Sequence, residues 1–220
     1  MIIDINDYSL LILGWLLGIL SPAIVTAIKD KREGLVVKKA LLAEFEELKF
    51  RLLLNVYTIE SKHGELNHDF FAWAQSVLVG YKGINSSESL LGTIGPLLKL
   101  SKNEMASYTQ MTRMQRAAKS GISLKKHSLS MLSANIGILA KFDSVFRGRL
   151  LEIKTRLEFL NEMIDEARYY FQLSFQNGIT PENYEIANTN MIQTYKFYAA
   201  RARDIVDMIG KLEEESSIKY

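Results

Sequence analysis

The chain has 220 residues, enough for one membrane anchor and one helical domain with a real core, and too few for two sizeable globular domains. Hydrophobic residues make up 48% and charged residues 24%, which excludes a mostly disordered chain, while the net charge of +2 hides a strong local asymmetry. Cysteine is absent, so thiolate zinc sites, disulfides and cysteine nucleophiles are excluded, and no compartment is chosen by that fact.

The first element is the uncharged run YSLLILGWLLGILSPAIVTAI over residues 8–28, opened by Asp4 and Asp7 and closed by Lys29. A hydrocarbon core of about 30 Å needs about 20 helical residues, so a run of this length predicts a transmembrane helix, with residues 1–7 as a short extracytoplasmic N-terminus. A secretory signal peptide would begin with a basic region and carry a shorter apolar run. Lys29, Lys31, Arg32, Lys38 and Lys39 follow, opposed by Asp30 and Glu33. This basic juxtamembrane segment, 29–40, orients the remainder toward the cytoplasm by the positive-inside rule, as in a single-pass protein of a bacterial inner membrane. Gly14 and Gly18 have GxxxG spacing, and Pro22 and Thr26 continue the stripe. The stripe either lets a second helix approach closely or reflects the commonness of glycine in membrane helices. Pro22 is also a possible kink, because it removes a backbone donor from the helix interior.

Residues 41–215 read as one cytoplasmic helical bundle, with 216–220 as a fraying tail. Leu41, Phe45, Leu48, Leu52 and Ile59 recur as one buried helical stripe, loosened from the anchor at Gly34 and fading at Lys62-His63-Gly64. Asn67 or Asp69 caps a short helix whose Phe70, Phe71, Trp73, Val77, Leu78 and Tyr81 predict burial. Gly92, Gly95 and Pro96 make residues 83–100 a loop with a helical turn or two, and Asn103 then caps a helix reaching about Lys119. From Leu139 through Phe142, Phe146, Leu150, Ile153, Leu157, Leu160, Ile164, Ala167 and Phe171 the steps are three or four, with one stutter near Phe146. Asn177-Gly178 ends that run and Thr180-Pro181-Glu182 starts the next, where Tyr184, Met191, Tyr195, Tyr198, Ala202, Ile205, Ile209 and Leu212 continue the same kind of seam, so residues 128–215 are expected to form a long antiparallel hairpin with a short connection.

Candidate chemistry is sparse. His63 and His68 each follow a glutamate by three residues, the Glu-x-x-His spacing of di-iron bundles, but the two motifs lie five residues apart around Gly64 instead of on facing helices. The third histidine, His127, has no acid-serine constellation in sequence, and neither a nucleophile elbow nor a phosphate-binding loop is present. All-helical HEPN ribonucleases place an arginine four to six residues before a catalytic histidine, and none stands there before any of these three. No catalytic, cofactor-binding or metal-ligating residue is assigned.

Charge is more informative. Residues 99–156 hold twelve basic and three acidic side chains, a net of +9, whereas residues from 157 onward are net −5. Arg113, Arg116, Lys119, Lys125, Lys126, Arg147 and Arg149 are therefore candidates for binding RNA, a nucleotide or anionic headgroups. The competing reading is intramolecular, with oppositely charged helices paired along their flanks. One N-terminal span above an all-helical cytoplasmic domain resembles, in architecture, small membrane accessory proteins of bacterial antiphage systems, including those that accompany RNA-targeting CRISPR effectors. With no catalytic constellation, and with the small-residue stripe and the long hairpin as association surfaces, the expected role is a non-enzymatic, homo-oligomeric scaffold or membrane effector, acting by depolarisation if the spans line a path; the resemblance adds an antiphage setting, and the alternative is a tethered RNA or nucleotide sensor.

Overall fold

The structure is a computed structural model that describes residues 5–83, 87–114 and 121–217, with side chains described from Gly14 to Ser216 in those stretches. The described residues contain helices and no strand: α1 Ile5–His63, α2 His68–Val79, α3 Glu88–Leu97, α4 Lys102–Met114, α5 Ser130–Ala134, a 3-10 helix Ile136–Lys141, α6 Ser144–Leu173 and α7 Pro181–Ser217.

α1 has 59 residues, about 88 Å at 1.5 Å per residue. The expected looseness at Gly34 is absent, and the helix runs unbroken from the apolar segment into the core. Gly34 is buried with the Phe142 ring 3.9 Å from where a Cβ would lie, so its missing side chain admits an aromatic neighbour instead of a hinge. Pro22 likewise does not interrupt the helix, and its carbonyl accepts a 2.8 Å bond from Thr26 Oγ1.

α7 lies between α1 and α6 and packs along both. Its direction follows from the pairs that cross to it. Lys49 meets Glu213, Glu60 meets Arg203 and His63 stacks on Tyr195, so α7 runs antiparallel to α1. Arg149 of α6 meets Glu215, so α6 is antiparallel to α7 and parallel to α1. The predicted seams are the ones that pack. Leu41, Phe45, Leu48, Leu52 and Ile59 of α1 are buried with Leu150, Ile153, Leu157, Leu160, Ile164 and Ala167 of α6. Met191, Tyr195, Tyr198, Ala202, Ile205, Ile209 and Leu212 of α7 complete the core.

The hairpin is shorter than expected at its first arm. α6 begins at Ser144 because Asp143 takes the cap position and accepts the Phe146 amide at 2.9 Å, which is the physical origin of the stutter. Upstream, α5 and the 3-10 helix pack on α1, and the Glu44 carboxylate accepts the amides of Met131 and Leu132 at 2.9 and 3.2 Å, capping α5 from a neighbouring helix. Residues 174–180 join α6 to α7, with Gly178 at φ +80° supplying the left-handed turn and Thr180 capping α7 through the Asn183 amide at 3.2 Å. α7 continues to Ser217, past the expected end at 215, and Ser216 is buried.

α2 is capped by Asn67, whose side chain accepts from Phe70 N at 2.8 Å, and it tucks Phe70 and Phe71 into the core. Trp73 Nε1 donates to Asp207 at 3.1 Å, tying this layer to α7. The segment expected as a loop contains the ten-residue helix α3 with Pro96 inside it. α4 starts at Lys102 and not at an Asn103 cap: Ser101 and Glu104 form a reciprocal capping box, with Ser101 N to Glu104 at 2.7 Å and Glu104 N to Ser101 Oγ at 3.3 Å. The expected extension toward Lys119 lies outside the described residues, since α4 is described to Met114.

Candidate membrane-facing segment and buried polar cluster

Every side chain from Gly14 to Lys29 is exposed, and those exposed include Trp15 at 65%, Leu17 at 60%, Val25 at 61% and Ile28 at 63%. Among the described residues no helix is long and apolar enough to cross a membrane. The described part of the uncharged run is 14–28, and its first residues, 8–13, lie outside the residues whose side chains are described. Gly14 and Gly18 have nothing within 4 Å of an added Cβ, and Pro22 and Thr26 are exposed beside them, so the small-residue stripe faces open space.

Below this run the two acids of the collar are taken by one partner. Lys141, at the end of the 3-10 helix, reaches Asp30 at 3.0 Å and Glu33 at 2.9 Å. Glu33 and Asp30 hold the Lys141 ammonium above its ordinary pKa. Lys38 lies 4.8 Å above the Phe146 ring, while Lys29, Lys31, Arg32 and Lys39 are exposed with no ion-pair partner among the described residues.

The described candidate anion-binding residues make separate contacts. Arg149 is paired with Glu215 at 2.7 Å and Lys126 with Asp165 at 2.5 Å. Positions 149 and 165 are 16 residues apart on α6, about 24 Å along the axis. Arg113 donates to the Gly64 carbonyl at the end of α1, Lys125 is exposed and Arg147 is half-buried. Arg116 and Lys119 lie outside the described residues.

The most organised polar cluster was not anticipated. Residues 121–129, without regular secondary structure, form a strap across the helices, plugged by buried Leu124 and Leu129. Side chains from all three long helices satisfy its backbone. Asn161 of α6 pairs with His127 in the manner of a strand, accepting from its amide at 2.9 Å and donating to its carbonyl at 2.7 Å. Arg168 donates to Leu124 O at 2.7 Å, and the Tyr195 hydroxyl both accepts from Ile122 N at 3.0 Å and donates to Ile122 O at 3.1 Å. At Gly121 an added Cβ would approach the Phe171 ring to 2.8 Å, so any larger residue requires that ring to shift.

Asn55 Nδ2 donates to Tyr198 Oη at 2.8 Å and faces His127 Nε2 at 3.0 Å. The amide can only donate, so His127 accepts at Nε2 and carries its proton on Nδ1. Burial, with Arg51 nearby, lowers the His127 pKa and keeps the ring neutral. Burial pushes the Tyr198 hydroxyl up to about 12. Asn55 thus links the Tyr198 hydroxyl of α7 to the His127 ring of the strap.

His63 is stacked on Tyr195 at 5.7 Å between centroids, and burial, reinforced by Lys62, Lys196 and Arg113, lowers its pKa to about 4. Its Nε2 is buried without a hydrogen-bond partner among the described residues. His68 Nε2 instead donates to Leu100 O at 2.7 Å, so the two Glu-x-x-His motifs point to different partners. Among the described residues no group of three histidine or carboxylate side chains could hold a metal ion. A cavity of about 100 Å³ between α1, α2 and α3 is lined by apolar groups including Leu53, Tyr57, Phe71, Leu90 and Ile94. No family model, no curated protein and no solved structure matches this chain.

Proposed function

We propose that the chain is a single-pass membrane protein in which residues 8–28 span a bacterial inner membrane, the N-terminus faces out and the helical bundle lies in the cytoplasm. The observation that carries this reading is the uncovered apolar helix over 14–28, continuous with the core-forming half of α1 and followed by a collar whose acids are already paired. Water would have to solvate every one of those side chains, whereas lipid favours them. The working role is a non-enzymatic, self-associating scaffold or membrane effector of the antiphage type. The exposed Gly14 and Gly18 stripe supports association within the bilayer, and exposed Phe159, Ile186 and Phe197 on the hairpin support it below.

Two measurements test this. Carbonate-washed membranes from an expressing cell should retain the protein, and its appearance in the wash would refute the span. If the assembled spans line a path, expression should dissipate a membrane-potential dye, and Gly14→Leu with Gly18→Leu should abolish that effect. Both replacements meet open space in the single chain, so the loss would report association and not misfolding. A tethered RNA or nucleotide sensor is the alternative, and the dispersal of Arg113, Lys126 and Arg149 along the bundle weighs against a single groove for it.

A further inference from the structure

The contacts of Lys141 place one end of the bundle at a defined depth. Asp30 and Glu33 stand two and five residues beyond Ile28 on α1, about 3 Å and about 7.5 Å along the helix axis. The headgroup layer on each side of a bilayer is about 5–7 Å thick. Lys141 reaches both carboxylates, so the end of the 3-10 helix lies at the same height as that layer if residue 28 marks the hydrocarbon boundary. Phe142 packs at Gly34 and Lys38 over Phe146, which holds the start of α6 just above.

We propose that this foot of the bundle is seated in the headgroup layer and binds anionic phospholipid headgroups through Lys29, Lys31 and Arg32. The inference rests on the spanning reading above and adds to it a lipid chemistry and a fixed seat. Charge complementarity carries it. The acids that would neutralise the collar are bound by Lys141, and Lys29, Lys31 and Arg32 are exposed at the height of the phosphates without an ion-pair partner among the described residues. Juxtamembrane basic side chains are attracted to an anionic surface within a Debye length of it, so three acting together hold the foot of the domain against the membrane.

The absence of cysteine makes the test direct. Full-length Ala140→Cys, with the label beside Lys141, and Phe175→Cys, at the distal turn, are labelled with an environment-sensitive dye and reconstituted into nanodiscs. Discs are made of phosphatidylcholine alone or with phosphatidylglycerol. The expected result is a blue shift and severalfold weaker iodide quenching at position 140 in the anionic discs, with position 175 unchanged. Replacing Lys29, Lys31 and Arg32 by glutamine should remove the difference. Equal quenching at 140 and 175 in anionic discs, from protein that elutes with the discs, overturns the seat while leaving the span standing. Protection at 140 that is the same with and without phosphatidylglycerol overturns the anionic specificity. Protein that elutes apart from the discs overturns the span and the seat together.

Discussion

The two halves of α1 belong to one unbroken helix and obey opposite rules. Over 14–28 every side chain is exposed and none is charged, whereas over 37–63 a stripe of Leu41, Phe45, Leu52 and Ile59 is buried at 1% exposure or less while charged residues such as Arg51 face out. The second half is amphipathic because it has water on one side and protein on the other. The first half has no polar face at all, as expected of a helix surrounded by one apolar medium. Continuity between them means that a rotation or tilt of the upper half is transmitted to the core without a hinge.

The sharpest way to break this contrast is to truncate one side chain in each half. Phe45→Ala should cost about 3–5 kcal/mol of bundle stability, because a fully buried ring leaves a cavity, whereas Leu17→Ala should change it by less than about 0.5 kcal/mol. Chemical denaturation in detergent micelles measures both, and equal losses would mean that the upper half packs on protein. A charge placed in the upper half gives the converse. Leu20→Arg should cost about 2.5–3.5 kcal/mol of insertion free energy at a central position and reduce the carbonate-resistant fraction, while the exposed Leu54→Arg on the lower half should leave that fraction unchanged.

The strap offers a smaller effect confined to the lower half. Asn161→Ala removes two hydrogen bonds to the His127 backbone and leaves partly buried groups unpaired, at a cost of about 1–3 kcal/mol, read as faster amide exchange at residue 127. Asp143→Ala, which removes the α6 cap, should cost about 1 kcal/mol in thermal unfolding. The smallest effect is the pH response of His63. Its folded pKa is about 4, below the ordinary 6.5, so the unfolded chain takes up more protons between those values and stability falls as pH drops from about 6.5 to about 4. Burial raises the pKa of the Glu213 carboxyl, against the pull of Lys49, and this works in the opposite sense above the ordinary carboxylate value. His63→Gln should therefore flatten the acid side of the melting curve relative to the parent, and an unchanged difference across that range would contradict the burial of the ring.

Much of the fold was legible because apolar periodicity reports burial directly. The seams of α6 and α7, the Asn67 cap and the Thr180-Pro181 start were all read from local patterns, and each is satisfied by contacts within a few residues or by simple exclusion of water. The capping box at Ser101 and Glu104 and the cap at Asp143 were equally local signals, passed over because apolar residues beside them continued a helical rhythm.

Residues 121–143 could not be read the same way. Their backbone is satisfied by Glu44, Asn161, Arg168 and Tyr195, side chains that lie tens of residues away in sequence. No local rule links a glutamate on α1 to the amides of α5. The basic run was a linear excess of charge, and only packing spread it along α6 and joined Lys126 to Asp165 and Arg149 to Glu215. What the sequence by itself determined is the helices α2, α6 and α7, the buried face of α1 and the uncharged stretch with its collar, because these depend on spacing and hydrophobicity along one chain. The tertiary structure alone decided the rigid junction at Gly34, the strap and the Lys141 tie to Asp30 and Glu33, because each depends on which distant residue arrives to fill a space or meet a charge.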